Sequence, residues 1–204
     1  MRFLFTIFLF CLGLFGFSHA DAEQSDVSES YEITLGGQKI IADSGVSTNI
    51  VVDGKKLAVS VQGLPFKKFD DGDISFMFPT RHAVEKEQTE TDTTWTLDGQ
   101  DNVITVHKVN DMNLADNLVA ELKRGYGKGT KVDKCQCWFG SNKINGQKIS
   151  AKLAGQTIVQ EIYNLPGSTN NYVFIIQNGS EDEIAETRMV KRKLKETFHM
   201  KSAQ

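Results

Sequence analysis

The sequence predicts an α+β fold: an antiparallel sheet packed by two amphipathic helices, with an N-terminal β-hairpin extension. Three observations carry this. Segments of alternating apolar and polar residues are joined by short Gly-containing turns, which link antiparallel strands. Two other stretches, beginning near residues 114 and 181, repeat apolar residues at helical spacing. The order is strands, helix, four strands, helix, so the helices must bury their apolar stripes on a sheet.

Residues 1–20 stand apart from this body. Met1-Arg2 supplies one charge, Phe3 to Phe17 is an apolar run, and Ser18-His19-Ala20 ends it on small residues. This is the pattern of a secretory signal peptide cleaved after Ala20, and it predicts a secreted or periplasmic product. The run is short for an uncleaved membrane anchor, and Phe10 before Cys11 is too large for a lipid-attachment site. Cleavage would remove six of thirteen phenylalanines and one of three cysteines, leaving a formal charge of −4 in place of −3. Such a chain is neither collagenous nor cysteine-dense nor basic enough to bind nucleic acid as a polyanion, and no later segment is apolar enough to span a membrane.

Residues 21–30 are polar and aperiodic and read as a disordered leader. Residues 31–62 read as the hairpin extension. Tyr31, Ile33 and Leu35 alternate before Gly36-Gly37, and Ile50-Val51-Val52 meets Leu57, Val59 and Val61 across Asp53-Gly54. The main domain spans 63–200. Gly63-Leu64-Pro65-Phe66 interrupts the alternation, and Asp70-Asp71-Gly72-Asp73 makes an acidic turn. Ile74–Phe78 is then a short strand stopped by Pro79, and Thr93–Leu97 and Val103–Val109 form two more.

Leu114 to Lys123 is the first helix, with Asn113 as N-cap, Leu114, Leu118 and Leu122 on one face, and glycines 125, 127 and 129 ending it. Strands follow at 130–139, 147–154, 156–163 and 171–177, with a turn expected at Asn145-Gly146. The last, Tyr172–Ile176, is apolar without alternation, as in a strand covered on both faces. Ser180 and Glu183 have capping-box spacing for the closing helix, whose stripe is Ile184, Thr187, Val190, Leu194 and Phe198.

Asp73-Ile74-Ser75-Phe76-Met77-Phe78-Pro79 resembles the opening strand of PsbP-like domains. The helix near 114–124, the glycine-marked strand pair around Asn145-Gly146, the strand Tyr172–Ile176 and the closing helix ending near Thr197-Phe198 follow in the same order. The resemblance covers roughly residues 66–200 and implies an α/β/α sandwich, the fold of photosystem extrinsic subunits, Ran-binding relatives and small exported bacterial proteins. Members act mainly by binding proteins, so the resemblance implies a protein partner in place of catalysis.

Cys135-Gln136-Cys137 is the most suggestive local feature. On an extended strand their β-carbons lie about 6.5–7 Å apart, whereas a disulfide wants about 3.8 Å. A mutual disulfide therefore requires a bulge. The other reading sets Cys135, Cys137 and Phe139 on one apolar face as small buried hydrophobes. Both stay open. A thiol-redox or soft-metal role has less support, because two thiolates are too few ligands and His82, His107 and His199 offer no matching spacing. Gln136 and Trp138 fall on the opposite face and, with Trp95, are candidates for an exposed interaction surface.

No nucleophile or metalloprotease motif is present. Asp70, Asp71 and Asp73 fail calcium-loop spacing. Gly125-Tyr126-Gly127-Lys128-Gly129 follows a helix and so lacks the amide dipoles of a phosphate loop. Lys191-Arg192-Lys193-Leu194-Lys195 reads as a solvated helix end. Asn178-Gly179-Ser180 fits the N-glycosylation acceptor pattern, with bearing only in a eukaryotic secretory pathway. The chain reads as a non-enzymatic, exported binding or assembly-accessory domain with an unidentified protein partner and no cofactor.

Overall fold

A computed structural model describes residues 30–201 apart from positions 36, 44–46, 53, 100, 111–113 and 168–169. The expected signal peptide, nearly all of the expected leader, Gly36, Asp53 and the expected Asn113 cap lie outside the described residues. The chain divides into two compact units at Gly63/Leu64.

The first unit holds two hairpins, β1 (Ser30–Leu35) with β2 (Gln38–Asp43), and β3 (Ser47–Val52) with β4 (Lys55–Ser60). Register pairs Leu35 with Gln38 and Val52 with Lys55, so each turn has two residues. Gly37 and Gly54 take left-handed backbone (φ 79° and 74°), which the tight hairpin twist demands and which glycine adopts without a Cβ clash. The two hairpins form separate two-stranded sheets.

The second unit is built on a seven-stranded antiparallel sheet. Its strands are β7 (Ala83–Gln88), β8 (Thr93–Asp98), β9 (Asn102–Val109), β10 (Lys131–Phe139), β11 (Asn142–Leu153), β12 (Gln156–Pro166) and β13 (Asn171–Asn178). Their order is β10-β11-β12-β13-β9-β8-β7, leaving β10 and β7 as its edges. β5 (Phe66–Asp70), β6 (Ile74–Pro79) and β14 (His199–Met200) make a separate three-stranded sheet, so Ile74–Pro79 does not join the main one. Lys201 N donates to Asp73 O at 2.9 Å and Met77 N to Thr197 Oγ1 at 2.9 Å, stitching residues 197–201 to β6.

Helix α1 (Leu114–Tyr126) lies against β11 and β12; Asp116 accepts from Gln147, and the Tyr126 hydroxyl donates to Gln160. Helix α2 (Ala185–Thr197) packs on β6 and β10, and its Lys191 reaches Glu161. Gln160 and Glu161 are adjacent on β12 and point to opposite faces, so the helices lie on opposite sides of the sheet. Phe76 and Phe78 of β6, Val190 and Leu194 of α2, Phe198 and the sheet residues Phe139, Tyr163, Tyr172 and Phe174 form one aromatic-rich core. Phe139, Phe174 and Phe198 meet edge-to-face at 5.0–5.9 Å, the packing aromatic quadrupoles favour.

Two turn signals act differently from expectation. The β10–β11 turn sits at Gly140-Ser141, and Asn145-Gly146 lies inside β11, opposite Gln136 and Cys135. Gly146 is there for space: a Cβ would come within 2.5 Å of Ile162 O and of the Tyr163 ring. Ser180 and Glu183 do not cap α2, whose first residue is Ala185; Ile184 stands at its N-cap without a side-chain bond. Glu183 is drawn instead to Lys191 at 2.6 Å, while Ser180 Oγ accepts from Asp182 N in a local turn. α1 runs three residues past Lys123, through Gly125, before Gly127 (φ 87°) ends it.

Candidate interaction site

From Cys135 to Phe139, β10 alternates between a face turned to α2 and the core and a face left exposed. Cys137 and Phe139 are buried and Cys135 is half-buried, whereas Gln136 and Trp138 are exposed. Register through Lys131–Phe139 is continuous, without the bulge that a Cys135–Cys137 disulfide requires, and both cysteines are free thiols. Burial pushes both thiols up, Cys137 to about 12, so neither is primed as a thiolate at neutral pH.

Tyr163, Glu161, Lys191 and Glu183 form a polar network between β12 and α2. The Tyr163 hydroxyl donates to Glu161. Lys191 sits 2.8 Å from Glu161 and 2.6 Å from Glu183, with only 20% of its side chain exposed. Lys191 is therefore not part of a solvated helix end: it braces α2 against the sheet. Burial, reinforced by the Glu161 charge, drives the Tyr163 phenol far above its usual range, keeping it a donor.

On the opposite face an open groove of ≈ 1010 Å³ runs between α1 and the β10–β11 edge. Ala115, Val119, Val132 and Ile162 form apolar parts of its lining, and Asp116, Lys134, Gln136 and Gln147 supply polar groups. Gln136 is tied to Asn145 at 2.7 Å. Trp138, 39% exposed, holds Lys195 Nζ at 5.1 Å from its ring centroid. Trp95 does not share this surface. Its register partner Val106 belongs to the core, and Trp95 packs there edge-on to Phe69 at 5.3 Å.

The other titratable clusters are satisfied structurally or shut away. Asp71 and Asp73 meet Lys108 at 3.3 and 2.7 Å and accept from Tyr172, and Asp71 also accepts two turn amides. His82 is fully buried with Nε2 3.7 Å from Glu186, which Arg81 pairs from the solvent side at 2.8 Å. Burial lowers His82 and holds His107, which bonds Thr94, down to about 4. His199 is exposed on β14, far in sequence from the other two. Among the described residues no three His, Cys, Asp or Glu side chains converge as metal ligands, and no helix is long and apolar enough to cross a membrane.

Sequence reasoning missed the α1 side of the groove and the role of Lys195. Neither carries a motif, because each depends on which strand ends at the sheet edge.

No protein-family model and no curated protein matches the chain. Among solved structures it is similar to the Ran-binding protein Mog1p of Saccharomyces cerevisiae, with 12% identity over 68% of this chain and 96% of that one (TM-score 0.46). It is also similar to LpqN of Mycobacterium tuberculosis, described as involved in cell envelope biogenesis, with 14% identity over 65% and 88% (TM-score 0.39).

Proposed function

We propose that the chain is an exported, non-enzymatic protein-binding or assembly-accessory domain, an α/β/α sandwich of the PsbP-like kind, that engages its partner at the β10 edge and the groove beside it. The observation that carries this reading is the groove itself: open, partly apolar, and bordered by a strand that, among the described residues, has no neighbour on its outer side in the main sheet. A free edge beside a groove offers main-chain pairing together with side-chain pockets, the requirements for holding an extended peptide segment. Export, with cleavage after Ala20, rests on the residue pattern at 1–20. The thiol-redox or soft-metal alternative through Cys135 and Cys137 lacks comparable support, since burial favours the thiol over the thiolate at both sites.

The test is site-selective photocrosslinking in the source cells. A benzophenone side chain at Gln136 should give a discrete adduct that the same group at Glu87, on the opposite edge, does not. Equal capture at both positions, or none at Gln136, would remove the assignment.

A further inference from the structure

The two edges of the main sheet are not alike. β7 is exposed at every residue and carries Glu85, Lys86 and Glu87 in succession, the charge pattern that discourages strand pairing. β10 bears its charges at Lys131, Asp133 and Lys134 and then runs uncharged from Cys135 to Phe139. The half of β10 that lacks charge is also the braced half. Gly140 N donates to Leu194 O at 3.1 Å, and the Lys191 network fixes α2 over Cys135 and Cys137.

Three lysines border this segment. Lys134 precedes it, Lys143 is the register partner of Trp138, and Lys195 lies over the Trp138 ring. All three are exposed, and among the described residues none makes an ion pair. The nearby acids belong to the other half of the strand: Asp133 precedes Lys134 in the charged part of β10, and Asp116 of α1 accepts a hydrogen bond from Gln147 beside it in the groove. A cationic strip thus borders the uncharged edge on a chain whose formal charge is −3.

Resting on the reading above, we propose that the partner presents an acidic segment in extended conformation, which adds to β10 as an eighth strand along residues 135–139 with carboxylates toward Lys134, Lys143 and Lys195. The exposed Trp138 ring supplies the apolar contact at the end of the segment. Lys195 exchanges its cation–π contact for a charge-assisted bond to a carboxylate.

The probes are peptides about ten residues long, enough to span the nine residues of β10, alternating Thr or Val with Glu, and the same peptides with Ser or Lys for Glu. Titrations follow backbone amide signals, and Trp138 fluorescence in a Trp95→Phe background. The Glu peptide should shift and protect the amides of 135–139, binding about tenfold more tightly than the Ser peptide and losing affinity with added salt. Methylating alternate peptide nitrogens should abolish binding, and Lys143→Glu with Lys195→Glu should weaken it about tenfold with unchanged melting.

Equal binding of the Glu and Ser peptides would overturn the acidic preference while leaving the binding edge in place. Full binding by the N-methylated peptide would overturn strand addition. If no peptide perturbs β10, the inference fails. The Gln136 crosslink then decides separately whether the reading beneath it fails too.

Discussion

Replacing Lys191 by Met is the most direct test of how α2 is held to the sheet. Glu161 is 6% exposed and has two favourable partners, the Tyr163 hydroxyl and the Lys191 ammonium. Removing the ammonium leaves a buried carboxylate with only the phenol. Uncompensated buried charges of this kind cost about 3–5 kcal/mol. The phenol still donates, so the lower end applies: about 3 kcal/mol, or about 10 °C in Tm for a domain of this size. Adding Glu161→Gln to Lys191→Met removes the stranded charge and should recover about 2 kcal/mol. Glu161→Gln alone should cost about 1 kcal/mol, because Lys191 keeps Glu183. Urea unfolding of the four species gives the cycle directly. A single-variant loss under about 1 kcal/mol, or strict additivity in the double variant, would refute the idea that this pair braces the helix.

Three further outcomes follow from the same structure. Gly146→Ala should destabilise by about 3 kcal/mol, since the new methyl meets Ile162 O and the Tyr163 ring, whereas Asn145→Ala, exposed beside it, should stay within about 0.5 kcal/mol; denaturant midpoints compare them. His107 takes up its proton near pH 4 in the folded state and at the ordinary 6.5 unfolded. Its stabilisation is therefore full above pH 6.5 and lost as pH falls toward 4, by about 3 kcal/mol; His107→Gln should flatten that slope in melts across the window, and an imidazole titrating near 6.5 by NMR would contradict it. Under native, non-reducing conditions two thiols should be countable after denaturation, with Cys135 alkylated faster than Cys137 before it; a native mass two hydrogens short would instead establish a disulfide.

Much of the second unit was legible because periodicity reports burial directly. The stripe of α1 and the unalternating Tyr172–Ile176 each describe which sides are covered. β7 was not legible: Ala83–Gln88 has no buried face, so it has no pattern to read. β5 was masked by the Pro65 break, and the second sheet was hidden because periodicity says that a strand exists but not which strands pair. Asn145-Gly146 misled for a related reason. Its glycine answers to the Tyr163 ring from a neighbouring strand, a demand that resembles a turn signal when only the local sequence is seen. At the candidate site, Gln136 and Trp138 could be placed on one face by alternation alone. Trp95 could not be separated from them, because that requires the register of β8 on β9.

The stitching of residues 197–201 to β6 sets an order on folding. β10 to β13 form a meander of neighbours in sequence and can assemble as soon as they exist, whereas the Thr197–Met77 contact closes a span of 120 residues. Until residue 197 is made, Phe76 and Phe78 lack both α2's last turn and Phe198 to cover them. The cover over this part of the core is therefore supplied by the segment that follows every strand of the main sheet, and no partial product ending before it can complete the aromatic cluster.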